Sequence, residues 1–169
     1  MRSASQVRAR ALALAAVRET FEEAGLLVAG NGDTASSPAH APANAGAPPL
    51  TFWDEFRSRG RAPSLARLRL VARAITPPGP PRRFDARFFY VPASAVTDRI
   101  AVENGELLDM QWMTLEEARA ANLASITRVI VEDLADRMKA GALDASEWPV
   151  PFYYSRNGRF MRDLLVAPR

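Results

Sequence analysis

The sequence contains no cysteine and a single histidine, His40. Without cysteine, the chain cannot form a disulfide, a thiolate metal site or a cysteine nucleophile. His40 lies in a run of alanine, proline and serine, which excludes histidine-based zinc sites and Ser/His/Asp triads. Any catalysis by this chain must therefore rest on carboxylates.

Lysine is as scarce as histidine, since Lys139 is the only lysine and arginine supplies the rest of the 22 basic residues. The 19 acidic residues bring the net charge to +3. Because no basic stripe is interleaved with aromatic side chains, we expect no nucleic-acid partner, and an arginine-rich RNA binder is the least favoured function. No apolar run approaches the roughly 18 residues of a membrane span, so we expect a soluble, cytoplasmic protein without a membrane partner.

A length of 169 residues suits one globular domain, and we predict a single domain over residues 1–169. Residues 29–49 consist mainly of glycine, alanine, serine, asparagine and proline. Such a segment has too few large apolar groups to order itself, so it is interpreted as a mobile loop that also holds His40.

The hydrophobic pattern predicts helices mixed with strands, which is typical of an α/β or α+β fold. Predicted helices cover residues 5–24, a short stretch from Thr114 (a capping box with Glu117) and 124–140. Residues 51–57 are predicted to form a short helix or a turn. Predicted strands cover residues 26–28, 66–75, 84–91, 100–102 and 107–113, followed by a hairpin around Asn157-Gly158. An apolar stripe on the first helix places Val7, Val17 and Phe21 on one face. We also expect four aromatic residues in or near the core: Trp53, Phe88, Phe89 and Trp112.

The first predicted helix carries a cluster of charged residues near its end, Arg18, Glu19, Glu22 and Glu23. Residues three and four apart are neighbours on a helix, so Glu19 lies beside both other glutamates and Arg18 can reach Glu22. Hard oxygen ligands of this kind are preferred by Mg²⁺ and Mn²⁺, and a bound ion could activate water against a phosphoanhydride. The alternative is a solvated acidic face, although three acids near a helix C-terminus oppose the helix dipole.

The order Arg-Glu-x-x-Glu-Glu-x-Gly-aliphatic at residues 18–26 resembles the C-terminal half of the Nudix box, G-x5-E-x7-R-E-U-x-E-E-x-G-U, where U is aliphatic. Residues 75–89, 106–118 and 151–158 are similar to later segments of a bacterial Nudix subgroup related to coenzyme A diphosphatases with a split box. The resemblance covers most of the chain from Arg8 onward. It implies a Nudix-type α/β/α sandwich with a mixed sheet.

By this resemblance, the chain is expected to be a metal-dependent hydrolase of a nucleoside diphosphate linked to another group. Coenzyme A or an acyl derivative is the leading substrate, and Mg²⁺ or Mn²⁺ is the implied cofactor. Glu22 and Glu23 match the adjacent metal-binding glutamates, and Glu19 matches the glutamate that binds metal or acts as base. Arg18 matches the arginine that orients these carboxylates, and Gly25 matches the glycine that ends the helix.

Further residues extend the implied site. Many Nudix enzymes use a late acid from a loop, for which Glu106 is the first choice and Glu103 the second. Arg87 is assigned to a substrate phosphate, while an ion pair with Asp85 is an equally open interpretation. Arg83, at the end of a proline-rich loop, is assigned to attracting anionic substrate, with a solvated loop as the alternative.

The front half of the box departs from the family pattern. Counting back from Arg18 puts the box glycine at Ala4 and its first glutamate at Arg10, and Thr20 takes a position that is usually aliphatic. In the split-box subgroup an insertion separates the two halves, and this chain begins at Met1 inside that insertion. We therefore expect a shortened domain without its first strands, through a misassigned start, a truncated gene or completion by another chain.

Two consequences follow from a shortened domain. An open sheet edge favours pairing with a second copy, so a homodimer formed by strand addition is expected. The alternative to an enzyme is a catalytically inactive Nudix remnant that binds a nucleotide or a protein partner.

Overall fold

The computed structural model describes residues 4–31, 52–100, 111–145 and 147–165. Described residues within 1–68 and 91–110 form one compact unit, and those within 69–90 and 111–169 form a second. Along the chain the elements are α1 (Ala4–Ala24), β1 (Leu26–Asn31), α2 (Phe52–Ser58), β2 (Arg61–Pro63), β3 (Arg69–Ile75), β4 (Asp85–Tyr90), β5 (Val96–Arg99), α3 (Leu115–Ala120), α4 (Ser125–Lys139), β6 (Val150–Arg156) and β7 (Arg159–Leu165). This mixture of helices and strands confirms an α+β fold.

The first unit packs α1 and α2 against a three-stranded antiparallel sheet in the order β2-β1-β5. Its core cluster contains Val17 from α1, Leu27 and Val28 from β1, and Phe52 and Phe56 from α2. Burying these side chains supplies most of the stabilisation of this unit, because each fully buried large apolar side chain contributes about 1.5–3 kcal/mol.

Helix α1 matches the prediction for residues 5–24, which follows from its content of alanine, leucine, arginine and glutamate. The predicted apolar stripe is correct only toward the end of the helix. Val17 is buried and Phe21 packs against the core cluster, whereas Val7 is 56% exposed. The core of this unit therefore takes α1 side chains from near the C-terminal end of the helix.

Strand β1 is longer than predicted and continues through Asn31. Residues 29–31 pair with β2, at Pro63, Ala62 and Arg61, so the prediction of a loop beginning at residue 29 was wrong for these three. Backbone pairing with β2 holds these residues in a strand although they lack large apolar side chains. The remainder of the predicted loop, including His40, lies outside the described residues.

The second unit is built on a four-stranded sheet in the order β4-β3-β6-β7. The central pair, β3 and β6, is parallel, and the outer pairs are antiparallel, so this sheet is mixed. Helix α4 contributes Ile130 to a core cluster with Ala72, Ala74 and Tyr153. The β6-β7 hairpin turns at Asn157 and Gly158 with φ of 52° and 74°, the positive values that this dipeptide favours.

Several predicted strands are shifted in the structure. The strand predicted at 66–75 begins at Arg69, and β2 was missed because it is only three residues long. The strand predicted at 100–102 is β5 at 96–99 instead, and residues 101 and 102 lie outside the described residues. Of the strand predicted at 107–113, residues 111–113 have no strand conformation and Trp112 is 72% exposed, so its core assignment was wrong.

The capping box at the start of α3 is confirmed. The backbone N–H and hydroxyl of Thr114 both donate to Glu117 Oε2, at 2.7 and 2.9 Å, and the hydroxyl oxygen accepts from the Glu117 N–H at 3.2 Å. These bonds, the backbone one first, hold the pKa of Glu117 below its usual value. Their stabilising effect is therefore present above the ordinary glutamate pKa and is lost as the pH falls.

Replacing Thr114 with alanine is expected to lower the free energy of unfolding by about 1 kcal/mol, because the N-cap acceptor is lost. Thr114→Ser keeps the hydroxyl and should retain most of that stability. Urea denaturation followed by circular dichroism measures both variants. Equal losses in the two would show that the threonine methyl group, and not the cap, carries the effect.

Candidate functional site

The charged cluster predicted near the end of α1 is present. We call its solvent-facing residues, Arg18, Glu19 and Glu22, the charged ridge. The side chains of Arg18, Glu19 and Glu22 are each about half exposed, at 46%, 49% and 48%. Arg18 lies between the two carboxylates: its Nη2 donates to Glu19 Oε1, and its Nε is 3.7 Å from Glu22 Oε2. Both glutamates, the Glu19 hydrogen bond first, raise the pKa of Arg18. One guanidinium therefore holds two of the predicted ligands side by side.

The backbone after the ridge is fixed by Gly25, which has a φ of 65°. Only glycine adopts this left-handed conformation without steric cost, which explains why the helix ends there. The Gly25 N–H donates to the Phe21 carbonyl, and its own carbonyl accepts from Ile100 N–H, both at 2.8 Å. The chain then enters β1, the central strand of its sheet, so the ridge is anchored directly to the core of the first unit.

Thr20, the departure from the usual aliphatic residue, has a local explanation. Its hydroxyl donates to the Ala16 carbonyl at 2.8 Å, one helical turn earlier, and the residue is half-buried. The polar group is therefore satisfied within the helix. With threonine at this position, the residues of the ridge remain on the exposed face of the helix.

The carboxylates do not converge as closely as the sequence predicts. In residues 4–31, 52–100, 111–145 and 147–165, no three histidine, cysteine, aspartate or glutamate side chains form a group that could hold a metal ion. Glu23 is half-buried beside the ridge, while Glu19 is engaged by Arg18. Glu106 and Glu103, the predicted late ligands, lie outside the described residues.

The two arginines assigned to substrate belong to the second unit. Arg87 on β4 pairs with Asp85, with Nη2 3.2 Å from Oδ2, which is the ion pair left open as its alternative interpretation. Asp85 also accepts two bonds from Arg73, at 2.8 and 2.9 Å, and these bonds are the largest cause of the lowered pKa of Asp85. Arg83 donates to the Thr76 carbonyl at 3.0 Å and is exposed. Contact of either arginine with substrate stays a prediction.

One polar cluster of the second unit gave no signal in the sequence. The hydroxyl of the buried Tyr153 donates to Asp133 Oδ2, and Arg162 reaches both, at 3.2 Å to the hydroxyl and 3.1 Å to Asp133 Oδ1. Burial first, and then the bond to Asp133, raises the pKa of Tyr153 to about 12. The tyrosine therefore stays protonated at neutral pH and acts as a hydrogen-bond donor.

Comparison with known protein families, with curated proteins and with solved structures finds no match to this chain. Within the described part of the chain, no helix has both the length and the apolar character needed to cross a membrane. The single-domain organisation, the nucleotide-type substrate, the metal, the homodimer and the cytoplasmic location remain predictions.

Proposed function

We propose that this chain is a Nudix-type, Mg²⁺- or Mn²⁺-dependent hydrolase of a nucleoside diphosphate linked to another group, with coenzyme A or an acyl derivative as the leading substrate. The observation that supports it most is the solvent-facing ridge on which Arg18 holds Glu19 and Glu22 together, directly before a glycine that ends the helix. The motif and its helical context occur together, as the resemblance implies.

The donor chemistry of the ridge fits a hard divalent ion. Carboxylate oxygens are the ligands that Mg²⁺ and Mn²⁺ prefer, and Glu22 and Glu19 are accessible while Glu23 adjoins them. By the resemblance, these three glutamates and Glu106 would hold the ion, and Glu19, Glu22 and Glu23 would first have to come closer together than the structure has them. Such an ion neutralises charge on diphosphate oxygens and lowers the pKa of water.

The residues of the chain have separate tasks in this proposal. Arg18 restrains the carboxylates of Glu19 and Glu22, which lowers the cost of bringing like charges together. A Glu19 oxygen accepts the proton of the attacking water as the new P–O bond forms and the anhydride P–O bond breaks.

The decisive variant is Glu22→Gln, which removes one ligand charge and keeps the size of the side chain. We expect Mg²⁺-dependent release of phosphorylated products from a panel of diphosphate-linked nucleotides, including coenzyme A, to fall by at least about 100-fold. Glu116→Gln is the matched control, since Glu116 is 81% exposed on α3 and is not among the residues assigned to the proposed site. Absence of turnover in the parent chain, or equal rates in parent and Glu22→Gln, would rule out the enzyme.

One observation favours the second candidate, a catalytically inactive Nudix remnant that binds a nucleotide or a protein. The described carboxylates do not form a converged metal-binding group, and Arg18 engages Glu19. For this candidate, calorimetry should detect nucleotide binding without product release, and the affinity should not depend on Mg²⁺.

A further inference from the structure

The second unit contains a largely apolar cavity of about 600 Å³. Ala74, Ala86 and Tyr153 of the sheet line one side, and Ile126 and Val129 of α4 also line it. A volume of roughly 300–1,000 Å³ with mainly apolar walls is typical of sites for small organic molecules. The cavity is therefore large enough for a ligand and is formed entirely within one compact unit.

Two phenylalanines that line the cavity are largely exposed to solvent. Phe84 and Phe160 are 62% and 64% exposed, although both contribute to the cavity wall. The ring of Phe160 stacks on the buried Tyr153 ring, with centroids 5.6 Å apart and planes inclined by 14°. An apolar ligand in the cavity would cover these rings and gain the free energy of removing them from water.

Two of the segments that border the cavity contain arginines and no acid. The acids elsewhere at the cavity, Asp133 and Asp163, are each engaged by the hydroxyl of a lining tyrosine, Tyr153 and Tyr154. Residues 76–84 include Arg82 and Arg83, and the turn between β6 and β7 is flanked by Arg156 and Arg159. All four are exposed, and among the described residues none forms an ion pair with a carboxylate. Asp85, the acid that follows the first segment, is engaged by two other arginines.

The start of α4 adds to this charge. Its N-cap residue, Ala124, provides no side-chain hydrogen bond, and the first turn contains no acid. Ser125 and Ile126, the first two residues of this 15-residue helix, line the cavity. Because a helix N-terminus carries a partial positive charge and unpaired N–H groups, an anion is favoured at this position.

We propose that this cavity binds a small amphiphilic carboxylate, whose apolar body fills the space between the sheet and α4. Its carboxylate lies at the N-terminus of α4, within the field of the four arginines. Apolar walls select an aryl or alkyl body, and the charge at the border selects an anion over a neutral or cationic analogue. None of the residues that line the cavity belongs to the charged ridge on α1.

Titration calorimetry without metal or nucleotide tests the ligand class directly. One arm uses 2-naphthoate and the other uses octanoate and decanoate, with decanol and decylamine as neutral and cationic analogues. We expect saturable one-to-one binding of at least one acid, at least tenfold tighter than the alcohol and the amine. Within the alkyl arm, each added methylene should tighten Kd by about three- to fourfold. Failure of every acid to saturate, or equal affinity for decanol, would overturn the proposal.

Paired variants locate the ligand in the cavity. Ser125→Asp places a carboxylate at the start of α4, where it suits the helix dipole and preserves folding, yet it should weaken acid binding at least tenfold. Ser125→Asn is the neutral control of similar size and should bind almost as the parent does. Lys139→Glu changes charge at the other end of α4, about 20 Å away along the helix, and should have no effect. Equal affinities of the aspartate and asparagine variants would contradict the assignment.

Filling the cavity provides an independent check. Ala86→Phe introduces a ring into the lining and should abolish acid binding, while circular dichroism and thermal unfolding report whether the fold is kept. The exposed phenylalanines and arginines could instead dock on an anionic membrane, so sedimentation with phosphatidylglycerol vesicles is run in parallel. Vesicle binding that survives Ala86→Phe, in a protein that does not bind the acids, would replace the proposed small-molecule site with a membrane surface.

Discussion

Replacing Phe56 with alanine is expected to lower the free energy of unfolding of the first unit by about 3–5 kcal/mol. The side chain is 1% exposed and belongs to the cluster formed by α1, α2 and β1. Its ring lies 4.8 Å from that of Phe52, in an edge-to-face arrangement. Truncation removes these contacts and leaves a cavity in a closely packed core, so urea denaturation should show an earlier transition.

Trp53→Ala provides the matched control on the same helix. Trp53 is 39% exposed, although its ring lies 4.4 Å from that of Phe52, so its removal should cost only about 1 kcal/mol. A loss as large as that of Phe56→Ala would mean that α2 buries a different face from the one described.

Replacing Arg137 with methionine is expected to cost about 2–4 kcal/mol in the second unit, which is a large effect for a charged residue. Arg137 is 3% exposed, and its Nε and Nη2 donate to the carbonyls of Ala142 and Ala145 at 2.8 and 2.7 Å. Burial, and then repulsion from Arg69, lowers the pKa of Arg137. Methionine fills much of the same space but leaves both carbonyls without their donor.

Arg128→Met separates the effect of burial from that of the arginine itself. Arg128 lies on the same helix and also donates to two carbonyls, those of Arg119 and Ala121, at 3.1 and 3.3 Å, but it is exposed. Water can replace those bonds, so a loss within about 0.5 kcal/mol is expected. Thermal and urea unfolding measure both variants, and comparable losses would contradict the role given to buried Arg137.

Local signals in the sequence predicted local structure well. The spacing of Thr114 and Glu117 identified the start of α3, and Asn157-Gly158 identified the β6-β7 turn. Each of these features depends on residues a few positions apart, whose backbone preferences are strong enough to act alone. The division of the strands between two sheets depends on tertiary packing, and the sequence did not reveal it.

In the candidate site, too, the sequence predicts contacts only between residues that are close together along the chain. Helical spacing alone places Arg18 beside Glu22, and the contact is present. By contrast, Asp133 and Tyr153 are 20 residues apart on a helix and a strand, and no periodic pattern connects them. The apolar cavity was likewise missed, because open space between a helix and a sheet depends on how closely they pack.

The parallel pairing of β3 and β6 has a consequence for synthesis of the chain. Arg73 pairs with Phe152, so the partner strand emerges from the ribosome 79 residues later. At about 5–20 residues per second, one edge of β3 waits roughly 4–16 s for its neighbour. An unpaired edge is a template for pairing with other chains during that interval. Nascent chains of this protein should therefore depend on ribosome-associated chaperones more than the size of the finished molecule suggests.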